Sequence, residues 1–83
     1  MQLVYFASVR ESIGLSEETY ALPEGIETVR ELIAHMRTRS DQYATAFENT
    51  LMLRVAVNQT HVQPDHPVSN SDEVAFFPPV TGG

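Results

Sequence analysis

Thr28-Val29-Arg30-Glu31-Leu32-Ile33-Ala34-His35-Met36 opens with the spacing of a capping box, threonine at the N-cap and glutamate at the third helical position. Val29, Leu32, Ile33 and Met36 then fall at i, i+3, i+4 and i+7. That periodicity predicts a helix with one stripe facing a core and the other side wet. Arg37 and Arg39 follow, where cations suit the negative end of the helix dipole. Upstream, Gln2–Ser8 is β-branched and aromatic and reads as a strand. Its alternating sets, Leu3/Tyr5/Ala7 and Val4/Phe6, are both apolar, which predicts cover on both faces in the working state. Arg10–Ile13 reads as one helical turn stopped by Gly14. A second strand is expected over Glu18–Leu22, with Pro23-Glu24-Gly25 as the turn after it.

Downstream, a short helix from Ser40 or Asp41 to Glu48 would bury Tyr43, Ala44 and Phe47. Leu51–Asn58 reads as a strand, with Leu53, Val55 and Val57 on one face and Met52, Arg54 and Ala56 on the other. Asn58-Gln59 is a turn before a brief strand over Thr60–Val62, and residues 63–72 are turn chemistry. Glu73–Phe77 is the last strand, ended by Pro78-Pro79, because proline cannot donate to a ladder. This order predicts an α+β fold of the β-grasp, ubiquitin-like kind. In it a mixed sheet carries one main helix on one face, and the first and last strands lie side by side at its centre. The expected organisation is a single domain over 1–83 with a flexible C-terminal tail over 79–83.

The 83 residues give room for one small core, and 42% of them are apolar. There is no cysteine, so disulfides, thiolate metal sites and a cysteine nucleophile are excluded. A net charge of −6, from 11 acids against 5 bases, disfavours nucleic acid and anionic membrane as partners. No apolar run approaches the ~18–20 residues of a membrane span, and Met1–Phe6 lacks a basic leader. A cytoplasmic location is expected.

Side-chain chemistry is sparse. His35, His61 and His66 lack metal-ligand partners at useful spacing, so no metal site is expected. Glu17-Glu18 reads as a solvated acidic pair, His35 as a surface or packing residue, and Asp65-His66-Pro67 as a turn. The tail Val80-Thr81-Gly82-Gly83 is different. Pro78-Pro79 stiffens the exit from the sheet, and the five residues Pro79–Gly83 can reach about 16–18 Å. Two glycines fit a channel little wider than a backbone. The Gly83 carboxylate would thus arrive inside another protein's active site.

Asp72-Glu73-Val74-Ala75-Phe76-Phe77-Pro78-Pro79-Val80-Thr81-Gly82-Gly83 resembles the ending of the molybdopterin synthase small subunits, a family of ubiquitin-like sulfur carriers. Val57-Asn58-Gln59-Thr60 and Phe6-Ala7-Ser8-Val9-Arg10-Glu11 extend the resemblance over the whole chain. It implies that a ubiquitin-activating-enzyme-like adenylyltransferase consumes ATP to adenylate Gly83. A sulfur donor protein then makes the thiocarboxylate. The loaded tail enters the large subunit and passes its sulfur to cyclic pyranopterin monophosphate, building the molybdopterin dithiolene over two rounds. No cofactor would be bound by the chain itself. A Gly-Gly ending also fits a ubiquitin-like protein modifier, or a carrier for thiamine or tRNA thiolation.

Helix 28–39 should cover one sheet face. If that face bears Leu3, Tyr5, Val74 and Phe76, then Phe6 and Phe77 stand exposed on the other, and an exposed aromatic pair usually marks an interface. The expected partner interface is Phe6, Phe77, Pro78 and Pro79, bordered by His61.

Overall fold

The computed structural model describes residues 1–48 and 52–79. Its elements in order are β1 (Gln2–Tyr5), α1 (Ala7–Ile13), β2 (Glu17–Thr19), α2 (Val29–Met36), α3 (Asp41–Ala46), β3 (Arg54–Val57), β4 (Thr60–His61) and β5 (Glu73–Phe77). The sheet order is β2-β1-β5-β3-β4, with β1 and β5 parallel and the other neighbours antiparallel. The first and last strands are therefore adjacent at the centre, as a β-grasp requires.

The capping box at α2 is complete. Glu31 N–H donates to Thr28 Oγ1 at 3.2 Å, and Thr28 N–H donates to Glu31 Oε1 at 3.1 Å. With both ends of the first turn satisfied, the helix turns Val29, Leu32, Ile33 and Met36 inward, and all of them are buried. They share one core with Leu3, Tyr5, Val55, Val57, Val74 and Phe76 from a single face of the sheet. Phe76 is its hub: Tyr5 stacks at 6.1 Å and Phe47 meets it edge-on at 4.9 Å. Helix α1 packs on α3 and β5 beside this layer.

Several sequence expectations shift. The strand expected over residues 2–8 ends at Tyr5, because Ala7 takes a left-handed φ of 50° and opens α1. Ala7 therefore does not join Leu3 and Tyr5. Helix α1 exceeds the single turn expected because Val9 and Ile13, four apart, supply it with a buried side. Gly14 closes it at φ 87°, its N–H donating to the Arg10 carbonyl at 2.8 Å. Strand β2 is Glu17–Thr19 rather than Glu18–Leu22. Its ladder with β1 finishes where Tyr20 meets Met1, and Leu22 N–H turns to Asn70 Oδ1 at 2.7 Å. Strand β3 begins at Arg54, opposite Phe77, since Pro78 beyond it has no N–H to offer. Leu51, the expected start of that strand, lies outside the described residues, and Met52 is exposed. In the chain alone, Leu3 and Tyr5 are buried, Val4 is half-buried and Phe6 is exposed.

Candidate functional site

Alternation along β5 sends Val74 and Phe76 into the core and Ala75 and Phe77 to the face that carries no helix. Pairing registers set Val4, Ala75, Ala56 and His61 side by side across that face, and place Phe77 opposite Arg54. Phe6 follows β1 in extended conformation (φ −123°, ψ 153°), and its N–H still donates to the Phe76 carbonyl at 3.1 Å. The left-handed turn at Ala7 then carries the backbone away while the Phe6 ring remains beside Phe77. Their centroids are 6.4 Å apart at 80°, an edge-to-face pair contributing about 0.5–1.5 kcal/mol. His61 meets Phe77 from the other side at 5.3 Å and 63°.

Phe6 is 48% exposed, neither Phe6 nor Phe77 enters the core, and Phe77, Pro78 and Pro79 are half-buried. Of the residues expected at a partner interface, Phe6, Phe77 and His61 form one aromatic group on this face, and Pro78 and Pro79 follow Phe77 along the chain. Val80, Thr81, Gly82 and Gly83 lie outside the described residues. Beside the prolines, Ser8, Ser12, Ala46, Met52 and Leu53 line an open groove of about 270 Å³. Nothing in the sequence marked this groove, because it depends on how α1 lies against α3. Met52, expected beside Arg54 and Ala56, lines it instead.

A polar cluster also escaped the sequence reading. Glu17 is exposed, but Glu18 is not a solvated carboxylate. It accepts hydrogen bonds from Tyr5 Oη at 2.7 Å, Tyr43 Oη at 2.6 Å, and Arg39 Nη1 and Nη2 at 3.1 and 3.0 Å. The Arg39 guanidinium lies 4.0 Å over the Tyr20 ring and 4.1 Å over the Tyr43 ring. Arg39 therefore serves as a bidentate clamp between β2 and the α2–α3 connection rather than as a dipole cation. His35 packs, as expected, and pairs through Nε2 with Tyr20 Oη at 2.6 Å. Burial disfavours the Glu18 anion, but donors from Arg39, Tyr43 and Tyr5 outweigh it and hold the carboxyl below the usual range. Burial first, then the Glu18 acceptor, pushes the Tyr5 and Tyr43 hydroxyls up. Three donors converge on Oε2 and one reaches Oε1, so the carboxylate ties β2 to β1 and to the α2–α3 segment as a fixed polar link within the fold.

Among the described residues, no group of His, Asp and Glu could hold a metal ion, and no helix is long and apolar enough to cross a membrane.

Residues 3–83 match the profile of the ThiS family. The chain is 47% identical, over 100% of its length and 99% of the relative's, to the molybdopterin synthase sulfur carrier subunit of Escherichia coli strain K12. It is 39% identical, at the same coverage, to the protein of the same name from Haemophilus influenzae. Among solved structures it resembles a Pyrococcus furiosus protein described as a molybdopterin converting factor, subunit 1. That likeness has a TM-score of 0.75 and 32% identity, and it covers 95% of each chain.

Proposed function

The chain belongs to the ThiS family, and from that membership we propose that it is the sulfur carrier of a molybdopterin synthase, working in the cytoplasm. The observation that carries this reading is the 47% identity, end to end, to a relative of that name. The reactive group is the carboxylate of Gly83. A carboxylate resists nucleophilic attack, because attack must add charge to an anion. At an adenylyltransferase similar to ubiquitin-activating enzymes, a Gly83 carboxylate oxygen attacks the α-phosphorus of ATP and pyrophosphate leaves. The mixed anhydride has lost the negative charge and gained AMP as leaving group. A donor protein supplies sulfur at the sulfide level, which attacks the acyl carbon; AMP leaves with the bonding electron pair, and a thiocarboxylate remains, a soft nucleophile that is ionised at neutral pH.

The thiolated tail then enters the large subunit of molybdopterin synthase. There it passes sulfur to cyclic pyranopterin monophosphate and returns as a carboxylate; a second carrier completes the dithiolene. Phe6, Phe77, Pro78, Pro79 and His61 dock the carrier, and Val80, Thr81, Gly82 and Gly83 occupy the partner's channel. The chain contributes no catalytic side chain and binds no cofactor; ATP is consumed by the activating partner. Support for docking on this face comes from its aromatic pair, Phe6 exposed and Phe77 half-buried, at the root of the tail on a sheet face without helices.

Intact-mass analysis after incubation with the activating enzyme, ATP and the sulfur donor tests the reading. One oxygen should be exchanged for sulfur, at Gly83. Loading of a chain lacking Gly83 would refute it. Recovery of the chain in isopeptide linkage to lysines of other proteins, without thiocarboxylate, would favour a protein modifier instead.

A further inference from the structure

An activated carboxyl group acylates whichever nucleophile reaches it, and the commonest protein nucleophile toward such a group is the lysine amine. This chain has none. All five of its basic side chains are arginines, Arg10, Arg30, Arg37, Arg39 and Arg54, and no lysine occurs in its 83 residues. A guanidinium stays protonated at any physiological pH and offers no free electron pair. The nitrogen of Met1 is also engaged. It donates to the Tyr20 carbonyl at 2.9 Å, Tyr20 N–H returns a bond of 2.9 Å to the Met1 carbonyl, and Met1 is 8% exposed. To attack, that nitrogen would have to leave the β1–β2 hairpin.

We infer that the chain is closed to acylation by its own activated end: it is a terminal acyl donor that cannot be joined copy to copy. This rests on the carrier reading of Gly83. In the excluded reaction, an amine nitrogen forms a bond to the Gly83 acyl carbon, the bond to AMP breaks with its electron pair on AMP, and the amine gives one proton to water. With the acceptor amine missing, a waiting acyl-adenylate passes to sulfur, to water or to a nucleophile of another protein. Serine and threonine hydroxyls remain but are weak nucleophiles at neutral pH, and the three tyrosine hydroxyls are engaged, Tyr5 and Tyr43 on Glu18 and Tyr20 with His35.

The test activates the chain with its adenylating enzyme and ATP and withholds the sulfur donor. One portion receives hydroxylamine, which traps activated Gly83 as a hydroxamate; its absence would sink the carrier reading itself, separately from this inference. In the other portion the parent chain should give no covalent species containing two chains. Arg37→Lys and Gln42→Lys, both at exposed positions, should give such species joined through the new lysine. A covalent dimer of the parent, through Met1 or a hydroxyl, would overturn the inference. So would lysine variants that form hydroxamate but no dimer. A second arm acetylates the native chain with an N-hydroxysuccinimide ester. Reaction at the Met1 nitrogen should be about tenfold slower than in urea, equivalent to roughly 1.4 kcal/mol of protection. Equal rates would show that the hairpin does not shield it.

Discussion

Phe6→Ala separates docking from folding, because the ring stands on the outer face and not in the core. Phe6 is 48% exposed, so folding already covers about half of it, and a partner docked on this face would cover the rest. Full burial of a phenylalanine is worth about 1.5–3 kcal/mol, so the remaining half corresponds to about 0.7–1.5 kcal/mol. Affinity for the molybdopterin synthase large subunit should fall about 3- to 13-fold. Titration calorimetry with the purified large subunit measures this. The folded chain loses the half of the ring that folding covers, about 0.7–1.5 kcal/mol, and the edge contact with Phe77, about 0.5–1.5 kcal/mol, each kcal/mol being a Tm decrease of roughly 4–8 °C. Phe76→Ala is the opposite control. That ring is fully buried against Tyr5 and Phe47, and its loss should lower stability by about 3–5 kcal/mol. Unchanged affinity of a folded Phe6→Ala chain would refute the assignment of this face as the docking surface.

Glu18→Ala strands the Arg39 guanidinium and the Tyr5 and Tyr43 hydroxyls. With the Glu18 and Arg39 side chains 15% and 21% exposed, urea unfolding should show a loss of about 2–3 kcal/mol, and a loss under about 0.5 kcal/mol would remove the clamp from the fold's support. Acid should act through the same carboxyl. Its folded pKa lies below the unfolded value, so its contribution is present above about pH 4.5 and is lost as pH falls through the folded pKa. Asp72, held low first by Asn58, adds in the same direction. Urea midpoints followed from about pH 6 to 3 should fall, and Glu18→Gln should flatten that slope; an unchanged slope would contradict the assignment. Thr28→Ala breaks the capping box and should lower stability by about 1 kcal/mol, read as a Tm decrease of roughly 4–8 °C.

The parts of the fold legible in the sequence are those set by local chemistry. Thr28 and Glu31 mark a helix start through hydrogen bonds spanning one turn, and the stripe Val29–Met36 marks its buried face. Pro78 marks the end of β5 because it lacks an N–H. The parity of Phe76 and Phe77 told which ring would stand outward once the helix face was fixed. What was not legible depends on contacts distant along the chain. Glu18 looks like half of an exposed acidic pair until Arg39 and Tyr43, 21 and 25 residues later, close over it. The turn at Ala7 sits inside a run of strand-forming residues, and only the packing of Val9 and Ile13 against the core explains why the chain becomes helical there.

Purified chain can be prepared in carboxylate and thiocarboxylate forms, and each mixed with molybdopterin synthase large subunit and cyclic pyranopterin monophosphate. The thiocarboxylate form should yield molybdopterin, one product for each pair of carriers returned to the carboxylate, and the carboxylate form none. Product formed equally by both, or by a chain extended past Gly83 by one alanine that stays intact, would mean that the Gly83 end is not the sulfur donor.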